Sequence, residues 1–156
     1  MDLLLWRHAE AADGSPDDAR ELTANGVRQA ERMARWLDRH APKDLRIIVS
    51  PAVRTQQTVQ AWTHDYETVA ELGTHARAQD LIRAAGWPDS RRPVMIVGHQ
   101  PTLGEVASLL LHGAPTPTAF KKGAVWWLRH RLRDGEPQTV LHSVMTAEMA
   151  GGKDER

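Results

Sequence analysis

A mostly parallel β-sheet covered by helices on both faces, an α/β fold, is what this sequence predicts. Three observations carry that expectation. Three short apolar runs, LLLW at residues 3–6, RIIV at 46–49 and VMIV at 94–97, lack the polar alternation of a strand with one face in water. Each is followed by a stretch in which apolar residues recur at helical spacing. Two late strand-like segments flank Asp134-Gly135, a dipeptide that favours a tight hairpin turn. A chain of 156 residues suits one domain with a substantial core.

Taken in order, the first run stops against Arg7 and His8. Residues 11–21 contain Gly14, Ser15, Pro16, Asp17 and Asp18 and read as a loop. Thr23 is the expected N-cap of a first helix. Val27, Ala30, Ala34 and Leu37 share one face of it with Met33 alongside, and Arg28, Glu31, Arg32, Arg35 and Asp38 cover the other. After 46–49, Ser50 is expected to cap a second helix, with Pro51 at its first position, running to about Trp62. Residues 67–70 form a weak strand, and 76–86 a helix closed by Gly86 and Pro88. After 94–97, residues 101–111 place Leu103, Val106, Ala107 and Leu110 on one helical face, and 113–117 form a loop. Residues 124–128 and 140–144 complete the sheet as a hairpin. The final GGKDER reads as frayed, so the expectation is a single domain over 1–148 and a flexible tail over 149–156.

Composition narrows the function. Hydrophobic residues make up 41% and charged residues 26%, as in a globular protein rather than a disordered one. Twenty basic residues balance twenty acidic ones, which argues against nucleic-acid or membrane binding by bulk electrostatics. The chain has no cysteine, which excludes disulfides, thiolate metal sites and cysteine nucleophiles. The N-terminal apolar run is far too short for a signal peptide or a membrane span, and a cytoplasmic monomer is expected.

Ligands of open α/β sheets bind beyond the carboxyl ends of the strands. Arg7 and His8 follow the first strong strand, Arg54 opens the helix after the second, and His99 follows the third. Taken singly, each has an ordinary reading as a solvated or structural side chain. Gathered at one edge, they would repel each other without an anion between them. Paired guanidinium groups and helix N-termini suit a phosphoryl group. A neutral imidazole can attack phosphorus and carry the phosphoryl group covalently. His40, His64, His75, His112, His130 and His142 form no metal-ligand spacing, so no metal is expected. Core packing or an exposed patch accounts for Trp36 and Trp62 in helices and Trp126-Trp127 in a strand, with Trp6 placed to wall the pocket from below and Trp126-Trp127 the first suspect should a dimer exist.

Four segments, RHAE after the opening strand, LTANGVRQA, VSPAVRTQQT and VGHQP, resemble in order and spacing the motifs of the histidine phosphatase superfamily, the phosphoglycerate-mutase-like fold. Within that family the chain is similar to the SixA-type phosphohistidine phosphatases. The resemblance implies a three-layer α/β/α sandwich. It implies that His8 is the nucleophile and that Arg7, Arg54 and His99 complete a phosphate pocket. The short chain leaves no room for a large cap insertion, so the pocket should be open. Ala9 stands where many relatives have Gly. Arg20, just before LTANG, matches an arginine common in this branch and is expected to bind substrate, through the phosphate or an incoming protein. The family's acid falls in the stretch VAELGTHARAQD, where Glu71 is the candidate and His75 the neighbouring histidine to watch. A phosphohistidine tolerates a missing acid, because protonated imidazole leaves more readily than an alkoxide. The implied function is protein phosphohistidine phosphatase, without cofactor, acting on a histidine-phosphorylated phosphotransfer domain or phosphocarrier protein. The alternatives are a phosphatase of small phosphate esters on the same site and a non-catalytic phosphate-binding module.

Overall fold

A computed structural model describes residues 1–151 of the chain. The three apolar runs form the centre of a six-stranded sheet. They are β1 (Asp2–Arg7), β2 (Arg46–Val49) and β4 (Val94–Gly98), and the strand order is β3-β2-β4-β1-β5-β6. β1, β4, β2 and β3 (Glu67–Thr68) run parallel, while β5 (Val125–Arg133) and β6 (Glu136–Met145) add antiparallel to the β1 side.

Both faces of the central strands are buried, which explains their unbroken apolar sequences. Leu3, Leu5, Ile48 and Ile96 pack against Leu81 of α3 (Ala78–Ala85) and Leu103 and Val106 of α4 (Thr102–His112). Leu4, Trp6, Val49 and Val97 face the other way, onto Met33 and Leu37 of α1 (Ala24–His40) and Val59 of α2 (Val53–Gln60). The result is a three-layer α/β/α sandwich whose element order no large insertion interrupts. Leu3, Leu4 and Leu5 are fully buried, and truncating any one to alanine would cost about 2–5 kcal/mol.

Thr23 caps α1 as expected, its hydroxyl accepting from the Gly26 N–H at 2.9 Å. Ser50 does not cap α2. That helix begins at Val53, Ala52 holds the cap position without a side-chain bond, and the Ser50 hydroxyl is turned toward the strand ends. The last two strands are longer than their apolar residues suggest. They continue to a turn at Asp134 and Gly135, both at positive φ (53° and 82°). Beyond Leu128 both faces of this hairpin are largely in water, so its sequence turns polar while the backbone pairing goes on. A short helix, α5 (Ala147–Ala150), crosses the expected boundary between domain and tail at 148/149. Residues 152–156 of the expected tail lie outside the described residues. Trp126 stacks on Phe120 at 4.3 Å, and Trp127 meets Trp36 edge-on at 6.3 Å, so both are packed within this chain. Among the described residues, no helix is long and apolar enough to cross a membrane.

Candidate active site

β1 and β4 are parallel neighbours, with Arg7 opposite Gly98 in the register. The pairing extends one step further, where the His8 N–H donates to the Gly98 carbonyl at 3.1 Å. It follows that His8 and His99 leave their strands side by side, with ring centroids 5.5 Å apart. The chain leaves β1 toward β2 on one side and leaves β4 toward β5 on the other. The crevice therefore opens at the point where the strand order reverses. Arg54, in the first turn of α2, reaches the same place and is only 4% exposed.

A cavity of about 300 Å³ opens there. Arg7, His8, Arg20, Arg54 and His99, all five residues expected from the sequence, line it. Asp17, Gln100 and Lys122 line it too, and sequence reasoning did not single them out.

The backbone sets the chemistry of His8. Its Nδ1 lies 2.7 Å from the Ala9 carbonyl oxygen, which can only accept, so Nδ1 carries a proton. Burial lowers its pKa to about 4, and Arg54, Arg7 and Arg20 push the same way. The neutral ring therefore keeps a lone pair on Nε2. His99 is pushed down to about 3 by burial first, then by His8 and Arg54. Its Nε2 lies 2.7 Å from the Ser50 hydroxyl.

The arginines are held from behind. Nη1 of Arg7 donates to the Phe120 carbonyl at 2.6 Å. Arg54 donates to the Asp17 carbonyl (2.8 Å) and carboxylate (3.0 Å). Arg20 reaches the same carboxylate at 3.0 Å and the Ala12 carbonyl at 2.8 Å. Hydrogen bonds from Arg20 and Arg54 hold the Asp17 carboxyl below the usual carboxylate range. These bonds leave donors over. Among the described residues, five buried side-chain polar atoms have no partner, and three belong to Arg7 (Nε), Arg54 (Nε) and His99 (Nδ1). Orphaned buried polar atoms are costly, and these three belong to side chains that line the one cavity.

Two candidates from the sequence lie away from the cavity. Glu71 is exposed on a 3-10 turn (Ala70–Leu72) and does not line the cavity; neither does His75, and their stretch contributes Thr74 instead. Trp6 does not wall the pocket. It is fully buried, and its Nε1 donates to the Gly123 carbonyl at 3.1 Å. Asp17 sits in a polar loop beside Asp18, where it looks like a solvated charge. Its one sequence signal is the three-residue spacing to Arg20. Among the described residues, no cluster of three or more His, Asp or Glu is placed to hold a metal ion.

The sequence profile of the histidine phosphatase superfamily (branch 1) matches residues 3–77. A phosphohistidine phosphatase SixA homolog of Haemophilus influenzae is 30% identical, the match covering 90% of this chain and 93% of that protein. Phosphohistidine phosphatase SixA of Escherichia coli is also 30% identical, over 80% of this chain and 83% of its own length. A structure of SixA complexed with tungstate superposes with a TM-score of 0.75 at 25% identity, covering 96% of this chain and 99% of the other.

Proposed function

The chain belongs to the histidine phosphatase superfamily, on its SixA-type branch, and we propose that it hydrolyses a phosphohistidine carried by another protein. The observation that carries this reading is the convergence of Arg7, Arg54 and His99 on the cavity that His8, with a lone pair on Nε2, also lines. That arrangement suits a tetrahedral oxyanion, and the similar SixA structure holds tungstate.

In the proposed reaction, Nε2 of His8 attacks phosphorus in line. The P–N bond of the substrate breaks and its electron pair returns to the departing imidazole, which leaves neutral because its other ring nitrogen has taken a proton from solvent. Arg7, Arg54 and His99 stabilise the charge spread over the equatorial oxygens. A preorganised donor of this kind is worth about 2–4 kcal/mol in the transition state. Water then attacks phospho-His8, releases phosphate and restores the free imidazole.

Two features favour a protein-borne phosphohistidine over a small ester. Glu71 stands away from the cavity, and an alkoxide leaving group needs an acid more than imidazole does. The cavity also offers a small organic group a mostly polar wall, since Ala11 is the only apolar residue among the described residues that line it. The substrate's binding energy would then come from a protein surface around the phosphohistidine. A histidine-phosphorylated phosphotransfer domain or phosphocarrier protein is the partner that fits.

The test is hydrolysis of a histidine-phosphorylated protein beside a panel of small phosphate esters, with chelator present. Rapid loss of phosphate from the protein and slow loss from the esters is expected. The opposite preference would overturn the reading in favour of an ester phosphatase. Phosphate binding without turnover of either would overturn it in favour of a binding module.

A further inference from the structure

Lys122 has no role in the steps above, yet its place is tightly defined. The next residue, Gly123, has φ +77°, and its N–H donates to the carbonyl of His8 at 3.1 Å. The Gly123 carbonyl in turn accepts from Trp6, and Lys121 on the other side lies 3.6 Å from Glu148. The backbone that presents Lys122 is therefore pinned to the main chain of His8 itself.

The charges at the cavity do not balance. Among the described residues, four cations (Arg7, Arg20, Arg54 and Lys122) line it with one carboxylate, Asp17. Asp17 is shared by Arg20 and Arg54. A phosphoryl dianion between Arg7 and Arg54 would answer those two further. Lys122 remains, exposed, with no hydrogen bond or ion pair among the described residues. Glu10 is the carboxylate that feels its charge, and Glu10 already accepts from Thr23 and Asn25.

We infer that Lys122 reads an acidic side chain beside the phosphohistidine, so that the partner presents its phosphoryl group on an acidic surface. This rests on the phosphohistidine reading above. A rim lysine acts as a point charge that selects and steers a complementary partner, and it tolerates varied geometry better than a bidentate arginine.

The experiment uses two synthetic phosphohistidine peptides of equal length, one flanked by Asp and Glu and the other by Ser and Gln. The wild-type protein should prefer the acidic peptide in kcat/KM, mainly through KM, and the preference should shrink with added salt. Lys122→Met should lower the acidic-to-neutral ratio roughly tenfold, and Lys122→Arg should largely keep it. A ratio unchanged in Lys122→Met would overturn the inference. So would an equal fall for both peptides, which would put Lys122 on the phosphoryl group itself. If neither peptide is hydrolysed while p-nitrophenyl phosphate is, the phosphohistidine reading fails and this inference falls with it.

Discussion

The Ser50 hydroxyl and Nε2 of His99 stand 2.7 Å apart, and both side chains are buried. The Ala52 N–H donates to the same hydroxyl at 3.3 Å, and a Ser50 hydroxyl that gives its own proton to His99 Nε2 leaves no group of this pair unsatisfied. A neutral His99 then carries its own proton on Nδ1, the atom without a partner. His8 also carries its proton on Nδ1, but there the Ala9 carbonyl takes it and Nε2 is left bare. One ring is thus set to supply a lone pair and the other a proton.

Ser50→Ala should free the His99 tautomer. Nitrogen-15 NMR of histidine-labelled protein is expected to show His99 as the Nδ1–H form in the wild type and as a mixture in the variant. A loss of about 1 kcal/mol carried into the transition state corresponds to roughly a fivefold fall in kcat. A single unchanged tautomer in the variant would mean that Ser50 does not set it.

Both imidazoles should titrate well below the ordinary histidine value of 6.5, His8 at about 4 and His99 at about 3. The folded protein keeps them neutral while the unfolded chain takes up protons below pH 6.5. Stability is therefore expected to fall as pH drops from about 6.5 toward 4, by about 1.4 kcal/mol per unit for each group at most. Chemical denaturation across that range, beside an NMR titration of the ring protons, checks the point. A His8 midpoint near 6.5 would contradict it.

Asp17 holds Arg54 and Arg20 together but also sets a negative charge beside the anion site. Asp17→Asn should bind inorganic phosphate more tightly and turn over more slowly, because the anion's competitor is gone while Arg54 loses its orientation. Isothermal titration with phosphate and steady-state kinetics measure the two effects. Phosphate affinity that falls along with turnover would show that Asp17 serves only to build the pocket.

Gly26 lies so close to the loop after β1 that an added Cβ would collide with the Glu10 carbonyl oxygen. Gly26→Ala must push Glu10 and α1 apart. A loss of about 1–3 kcal/mol in stability is expected, together with lower activity because His8 begins that loop. A thermal melt matching the wild type would show that the loop yields without strain.

Much of this was legible in the sequence, for a physical reason. Strands buried on both faces must be uniformly apolar, so residues 3–6, 46–49 and 94–97 mark themselves. Open sheets bind ligands past strand ends, so Arg7, His8, Arg54 and His99 follow from position. The remainder depends on tertiary contact. Nothing near Asp17 in the sequence says that its carboxylate meets an arginine 37 residues away. Ser50 looks like a helix cap because a serine before a proline usually is one, and only the approach of β4 turns it toward His99. Lys122 reads as an ordinary loop lysine until the sheet brings Gly123 onto the His8 carbonyl.

The most direct test of the central claim is to trap the phosphoenzyme. The protein would be mixed with a phosphohistidine substrate, quenched in alkali within milliseconds and mapped by mass spectrometry. Phosphate on His8 is the expected result, with none in His8→Ala. Full turnover in His8→Ala, or phosphate found on another residue, would contradict the assignment of His8 as the nucleophile.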